Sequence, residues 1–284
     1  MSRQFVTRVD QDVGPTQRAQ VRSVRGDSVE LRDDIVAVEE PLEIRIARCG
    51  ETGPGTPVSV TMRTPGHDAE LAMGFLHGEG LIRSRGDVAC VRERGPDGNV
   101  VYVEFTAGVA FTAASLQRNF YATSSCGVCG KASLQAIDVM LHSGPVDSTL
   151  RVSAELLTSL AASAHAAQPL FRDTGGLHAA TLFDAGGQLI ASFEDVGRHN
   201  ALDKLIGSML LNDALPLSRC VLHLSGRASF ELLQKAAVAG IPVVAAIGAP
   251  SSLAIEVAER TGILLVGFLR GDSFNIYAHG ERLR

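Results

Sequence analysis

The chain has 284 residues, a formal net charge of −5 at pH 7, no tryptophan and few other aromatics, so it can bury one large core or two ordinary ones. That charge argues against bulk attraction to nucleic acid or an anionic membrane, and the longest apolar runs are far too short to span a bilayer. Five cysteines, three of them scattered, make no disulfide framework, and the N-terminus lacks the apolar stretch of a secretory signal, so a cytoplasmic protein with reduced thiols is expected.

Residues 1–25 are polar without periodicity and are expected to form a mobile arm. Leu42, Ile44 and Ile46 alternate in "PLEIRIARC", which predicts a half-buried strand; "PVSVTMRT" predicts a second, stopped by Pro65-Gly66. "HDAELAMGFLHGEGLI" has helical apolar spacing with Asp68 as candidate N-cap, and "DVACVRERGPDGNVVYVEF" is a hairpin turning at Pro96-Asp97-Gly98-Asn99. The loop "TSSCGVCGKAS" follows, then a helix over "KASLQAIDVML". Further on, "SAELLTSLAASAHAAQPLF" reads as a helix capped by Ser153, "HAATLFDAGGQLIASFED" as a hairpin turning at Gly186-Gly187, and "RHNALDKLIGSMLL" as an amphipathic helix. Strand "CVLHLS", helix "ASFELLQKAAVAG", strand "PVVAAI", helix "SLAIEVAERTG" and strand "ILLVGFL" then alternate. The predicted class is α/β (α+β overall). A β-rich, antiparallel-rich region covers residues 26–149, and residues 150–284 form an α/β region whose sheet has parallel pairs and helices on both faces.

Three chemistries fit Cys126 and Cys129. A structural zinc site needs four ligands, but no second Cys-x-x-Cys exists, Cys49, Cys90 and Cys220 stand alone, and the proline that precedes the pair in zinc deaminases is missing. A thioredoxin-like redox pair would open a helix directly after a strand, whereas this one follows a hairpin region. The third is sulfur transfer. Gly127 and Gly130 leave the sulfurs accessible, while Lys131 and the start of the next helix favour a thiolate, which can accept sulfur as a persulfide.

"SFEDVGRHNALDK" crowds Glu194, Asp195, Arg198, His199, Asn200, Asp203 and Lys204 into one strand-to-helix junction. Asp195 is a reasonable N-cap, and Arg198 and His199 are candidates to line a crevice. "RDTGGLHAA" is a similar junction, although a lone His178 entering a strand is more often a core residue. "LHLSGRASFE" opens a helix whose first N–H groups could bind an anion, and "GAPSS" repeats the strand-turn-helix pattern. Such strand ends on one edge form the usual crevice of an open α/β sheet.

Together, "MRTPGHDAELAMGFLHGEGLI", "TSSCGVCGKAS", "DTGGLHAA", "EDVGRHNALDK", "SGRASFELLQKAAVAGIPVV", "APSSLAIEVAERTG" and "GFLRGDSFNIY" resemble, in order, the formate dehydrogenase accessory sulfurtransferase family, FdhD. One departure is "GAPSS", where the family pattern leads one to expect serine at Gly248 and threonine at Ser251. The resemblance implies a cytoplasmic homodimer with a cytidine-deaminase-like three-layer C-terminal region that lacks the deaminase zinc. It also implies a sulfur carrier that takes persulfide sulfur from a cysteine desulfurase. The sulfur goes to the molybdenum of the bis-molybdopterin guanine dinucleotide cofactor, which then enters formate dehydrogenase. Carried onto this chain, Cys126 would be the persulfide carrier with Cys129 assisting. Phe268, Leu269, Arg270, Gly271, Asp272 and Ser273 would contact the cofactor, for whose ends guanine nucleotides are surrogates. The alternatives are a chaperone that holds the cofactor without transferring sulfur, and a zinc-binding deaminase-like enzyme.

Overall fold

The computed structural model describes residues 6–7, 14–50, 53–94, 99–109 and 146–284. Leu42, Ile44 and Ile46 turn inward, so β4 (Glu40–Arg48) buries the face that its alternation predicts. It pairs antiparallel with β5 (Thr56–Arg63) and parallel with β7 (Val100–Phe105). β7 pairs antiparallel with β6 (Val88–Arg94), and β1 (Val6–Thr7) lies parallel on the outer side of β6. Helix α1 (Asp68–Gly78) lays Leu71 and Leu76 into the same core as Leu42, Ile44, Val101 and Val103.

Asp68 is the first residue of α1, not its cap. His67, at φ 61, holds the cap position, and the Asp68 carboxylate instead takes Nε (2.9 Å) and Nη2 (2.8 Å) of Arg63. Both side chains are fully buried, where a guanidinium needs a two-pronged partner more than a helix needs a cap.

The second sheet runs β13-β12-β11-β10-β8-β9. Its centre is three parallel strands, β10 (Cys220–Leu224), β11 (Val243–Ala246) and β12 (Leu264–Arg270). β10 and β11 are buried throughout, which is why they read as continuous apolar runs. Hairpin β8 (His178–Asp184) and β9 (Leu189–Asp195) pairs antiparallel along β10, and β13 (Ser273–Ala278) closes the other edge.

Helix α2 (Ala154–Ala166) lays Leu157, Leu160 and Ala164 into one face, against Val221, Val243 and Val266. Helices α4 (Arg198–Leu211), α5 (Phe230–Val238) and α6 (Ser252–Thr261) cover the other, giving the three layers expected. Ser153 caps α2 by accepting the Leu156 N–H at 3.2 Å. The single helix predicted from there to Phe171 is two, because Pro169 has no N–H to donate and opens a short α3 (Pro169–Thr174).

The two sheets are joined where α1 crosses α4. A Cβ on Gly74 would sit 1.9 Å from the Asp203 carbonyl oxygen, and one on Gly207 1.8 Å from that of Glu70, so the two backbones touch directly. Residues 16–25 correct the expectation of an unstructured arm. They form β2 (Thr16–Arg25), paired in full register with β3 (Ser28–Ala37) through a two-residue turn in which Gly26 takes φ 58. The ribbon escaped pattern reading because most of it is exposed on both faces. The predicted helix "KASLQAIDVML" and the turn residues Pro96 to Gly98 lie outside the described residues. Among the described residues no helix is long and apolar enough to cross a membrane.

Candidate functional site

β9, β10, β11 and β12 run in one direction and β8 and β13 in the other, which brings five junctions to one edge of the second sheet. They are the start of β8 at His178, the β9–α4 turn, the β10–α5 turn, the β11–α6 turn and the β12–β13 turn. Backbone hydrogen bonds stitch three of them together: Gly248 N–H donates to the Gly226 carbonyl at 2.9 Å, and Phe268 N–H to the Gly248 carbonyl at 3.3 Å.

The crowded "EDVGRHNALDK" junction separates into struts and free groups. Asp195 is fully buried; it accepts from the N–H groups of Thr64 (3.1 Å) and Gly197 (2.8 Å) and from Asn200 Nδ2 (3.0 Å), and pairs with Lys204 Nζ at 2.7 Å. Gly197, not Asp195, is the cap of α4. Lys204 also donates to the Thr64 carbonyl at 2.8 Å, and Asp203 pairs with buried Lys235 at 2.7 Å. Burial pushes the Asp203 carboxyl up, and the attraction of Asp203 pushes Lys235 up against its own burial. Glu194 accepts the Leu170 and Phe171 N–H groups that begin α3, at 3.0 and 2.7 Å.

That leaves Arg198 and His199 facing the edge. His199 Nε2 lies 2.8 Å from Glu231 Oε2 and 3.3 Å from Ser229 Oγ. This hydrogen bond is the main reason that the Glu231 carboxyl is held below its usual range. Ser229 holds the N-cap position of α5, but its hydroxyl faces His199 and makes no cap hydrogen bond. Arg198 Nε is buried without a hydrogen-bond partner among the described residues. Its charge, after burial, helps to depress His178.

At the far end of the edge, Phe268 adopts φ 53 and is 40% exposed, a strained and open aromatic of the kind that gathers at binding sites. Arg270 and Asp272 are exposed and have no ion-pair partner among the described residues, while Gly271 at φ 55 has open space where a Cβ would be. Ser273 Oγ donates to the Arg270 carbonyl at 3.2 Å. Leu269 differs: its side chain is fully buried in the α2 core, so only its backbone is available to a ligand. With four strand spacings between β9 and β12, Arg198 and Arg270 stand roughly 19 Å apart along the edge. A single compact ligand is too short to touch both; an extended one is long enough.

Between these ends, on the α2 side, lies a pocket of about 490 Å³ whose walls include His165, Phe171, His178, His223, Ser225 and Ile247. Among the described residues no group of three or more His, Cys, Asp or Glu is arranged to hold a metal ion. Of the two His-x-Glu spellings, which a zinc deaminase would use, His77-Gly78-Glu79 closes α1, with His77 Nδ1 3.3 Å from the Ile82 carbonyl, and in His279-Gly280-Glu281 the histidine Nδ1 lies 2.7 Å from Glu281 Oε1.

The FdhD/NarQ family matches this chain over residues 37–284. This chain belongs to that family. It is 50% identical over 278 residues to the sulfur carrier protein FdhD of Streptomyces coelicolor, covering 94% of this chain and 95% of that one. It is 48% identical over 278 residues to the sulfur carrier protein FdhD of Mycobacterium tuberculosis, covering 94% and 98%. A solved structure of a Desulfotalea psychrophila protein described as a formate dehydrogenase accessory protein superposes with TM-score 0.74 at 24% identity, covering 95% of this chain and 99% of that one; it supports the fold.

Within this FdhD/NarQ member, the glycine at 248 has a local cause. A Cβ there would approach the N and Cα of Arg227 to 3.0 Å, so this turn leaves little room for the serine expected from the family pattern. Cys126 and Cys129 lie outside the described residues. The sequence reading missed His223 and Ser225. Their only signal was a histidine interrupting the otherwise apolar "CVLHL".

Proposed function

We propose that this chain is a sulfurtransferase that receives sulfur from a cysteine desulfurase on Cys126 and delivers it to the bis-molybdopterin guanine dinucleotide molybdenum cofactor, bound as substrate, on its way to formate dehydrogenase. The observation that carries this reading is membership of a family whose relatives at 48–50% identity are sulfur carrier proteins, combined with a glycine-flanked Cys-x-x-Cys in this chain. The chemistry balances within the pair. The Cys126 thiolate attacks the outer sulfur of the desulfurase persulfide; that S–S bond breaks, a new one forms on Cys126, and the donor leaves as a thiolate. Attack by Cys129 on the inner sulfur then closes a Cys126–Cys129 disulfide and expels the outer sulfur, with its electron pair, as sulfide; a dithiol reductant, itself oxidised to a disulfide, returns the pair to thiols before the next loading.

The long polar edge supports an extended substrate with charged linkages, since a guanidinium at each end suits phosphate. Mass spectrometry after incubation with desulfurase and cysteine tests the reading. The wild-type chain should gain one sulfur atom on the loop peptide; Cys126→Ala should not, and should fail to mature formate dehydrogenase. Normal loading and maturation by Cys126→Ala would overturn it, and cofactor binding without any sulfur gain would favour a holding chaperone.

A further inference from the structure

His223 is the least explained side chain in the molecule. It is 2% exposed in the middle of the sheet, and neither ring nitrogen has a hydrogen-bond partner among the described residues. A buried polar group left unpaired is costly, so such an orphan marks a place where a partner is expected. His223 shares its face of β10 with Val221, toward α2, and borders the 490 Å³ pocket, a volume within the roughly 300–1,000 Å³ usual for small-molecule sites. Burial lowers its pKa to about 4, so at neutral pH the ring offers one N–H and one lone pair.

The walls select the occupant. No Asp, Glu, Lys or Arg lines the pocket, so it offers no lysine or arginine to pair with a phosphate or a carboxylate. His165 and Phe171, edge-to-face with centroids 6.4 Å apart, supply ring surface for stacking. Ser225 Oγ accepts the Ala179 N–H at 2.8 Å, which leaves its own proton to donate. A charge that reaches its walls is that of Arg198, which, after burial, helps to depress His178.

We infer that this pocket binds an uncharged, planar nitrogen heterocycle, with His223 as its hydrogen-bonding anchor, between the charged ends of the sheet edge. The inference rests on the cofactor reading only for the choice of heterocycle: guanine and pterin carry the same amino-oxo-pyrimidine edge, whose donors and acceptors can meet either the N–H or the lone pair of a neutral imidazole.

Calorimetry with guanosine and with free pterin tests it on the full-length protein. At least one should bind the wild type, and His223→Phe, which keeps ring volume but has no nitrogen, should weaken that binding by roughly tenfold or more. Ala161→Leu, which fills the pocket from half-buried α2, should weaken it too, and decides the matter if His223→Phe does not fold. Which probe responds tells which end of the cofactor enters. Binding of neither probe, or equal binding by wild type and both variants, overturns the inference. Sulfur loading should be intact in both variants; absence of loading in the wild type would defeat the sulfur-carrier reading while leaving the pocket standing.

Discussion

His223 and the Arg63–Asp68 pair show opposite solutions to burying a polar side chain. Arg63 is met by Asp68 with two hydrogen bonds, whereas His223 has no such partner and gives up its charge. The consequence is a pH dependence with a definite sign. Below about pH 6.5 an unfolded chain protonates this imidazole, while the folded protein refuses the proton down to about pH 4. Stability is therefore complete above that window and falls as the pH drops through it, by on the order of 3 kcal/mol from this residue. His178, also depressed, acts in the same direction. Urea unfolding between pH 7 and 4 should show a steeper loss for the wild type than for His223→Phe; parallel curves would mean that His223 is protonated in the fold.

At the scale of elements, the crossing of α1 and α4 depends on two absent side chains. Helical apolar spacing was legible in both segments, but nothing local in "LAMGFL" or "KLIGSM" says that two backbones must touch there. Gly74→Ala would force a methyl against the Asp203 carbonyl, which is backbone and cannot rotate aside. We expect a loss of about 3 kcal/mol or more in urea unfolding, at or above the upper end of ordinary overpacking. Gly207→Ala should cost a similar amount, and the double variant less than the sum, because both push the same helices apart. An unchanged midpoint would show that the helices separate freely. The β2–β3 ribbon was missed for the complementary reason. Its strands bury little, so a pattern that detects burial finds nothing, and pairing across the Gly26 turn supplies the order.

For the molecule as a whole, the proposed function divides two tasks between the sheet edge and the cysteine pair. If Arg270 grips a phosphate of the substrate while Cys126 handles sulfur, Arg270→Ala should cost guanosine diphosphate about 1.5–3 kcal/mol of affinity, with Arg270→Lys recovering only part, and sulfur loading should be untouched. Loss of loading with nucleotide binding preserved would assign the segment to the sulfur donor instead. The sequence by itself determined most of the elements after the β2–β3 ribbon, apart from the break at Pro169, and the three-layer plan of the second half. Strand and helix periodicities, the Ser153 cap and the Gly186-Gly187 turn are local, and each is written within a few residues. It also carried the family signature, including the two cysteines. Only the tertiary structure decided what the polar residues do. Asp195, Asn200 and Lys204 became struts because Met62 and Thr64 arrive from the other sheet, and Asp203 because Lys235 arrives from α5, which left Arg198 and His199 to face the edge. Burial and partnership belong to pairs of distant segments, and a polar side chain read alone does not reveal whether it will meet a partner or a ligand.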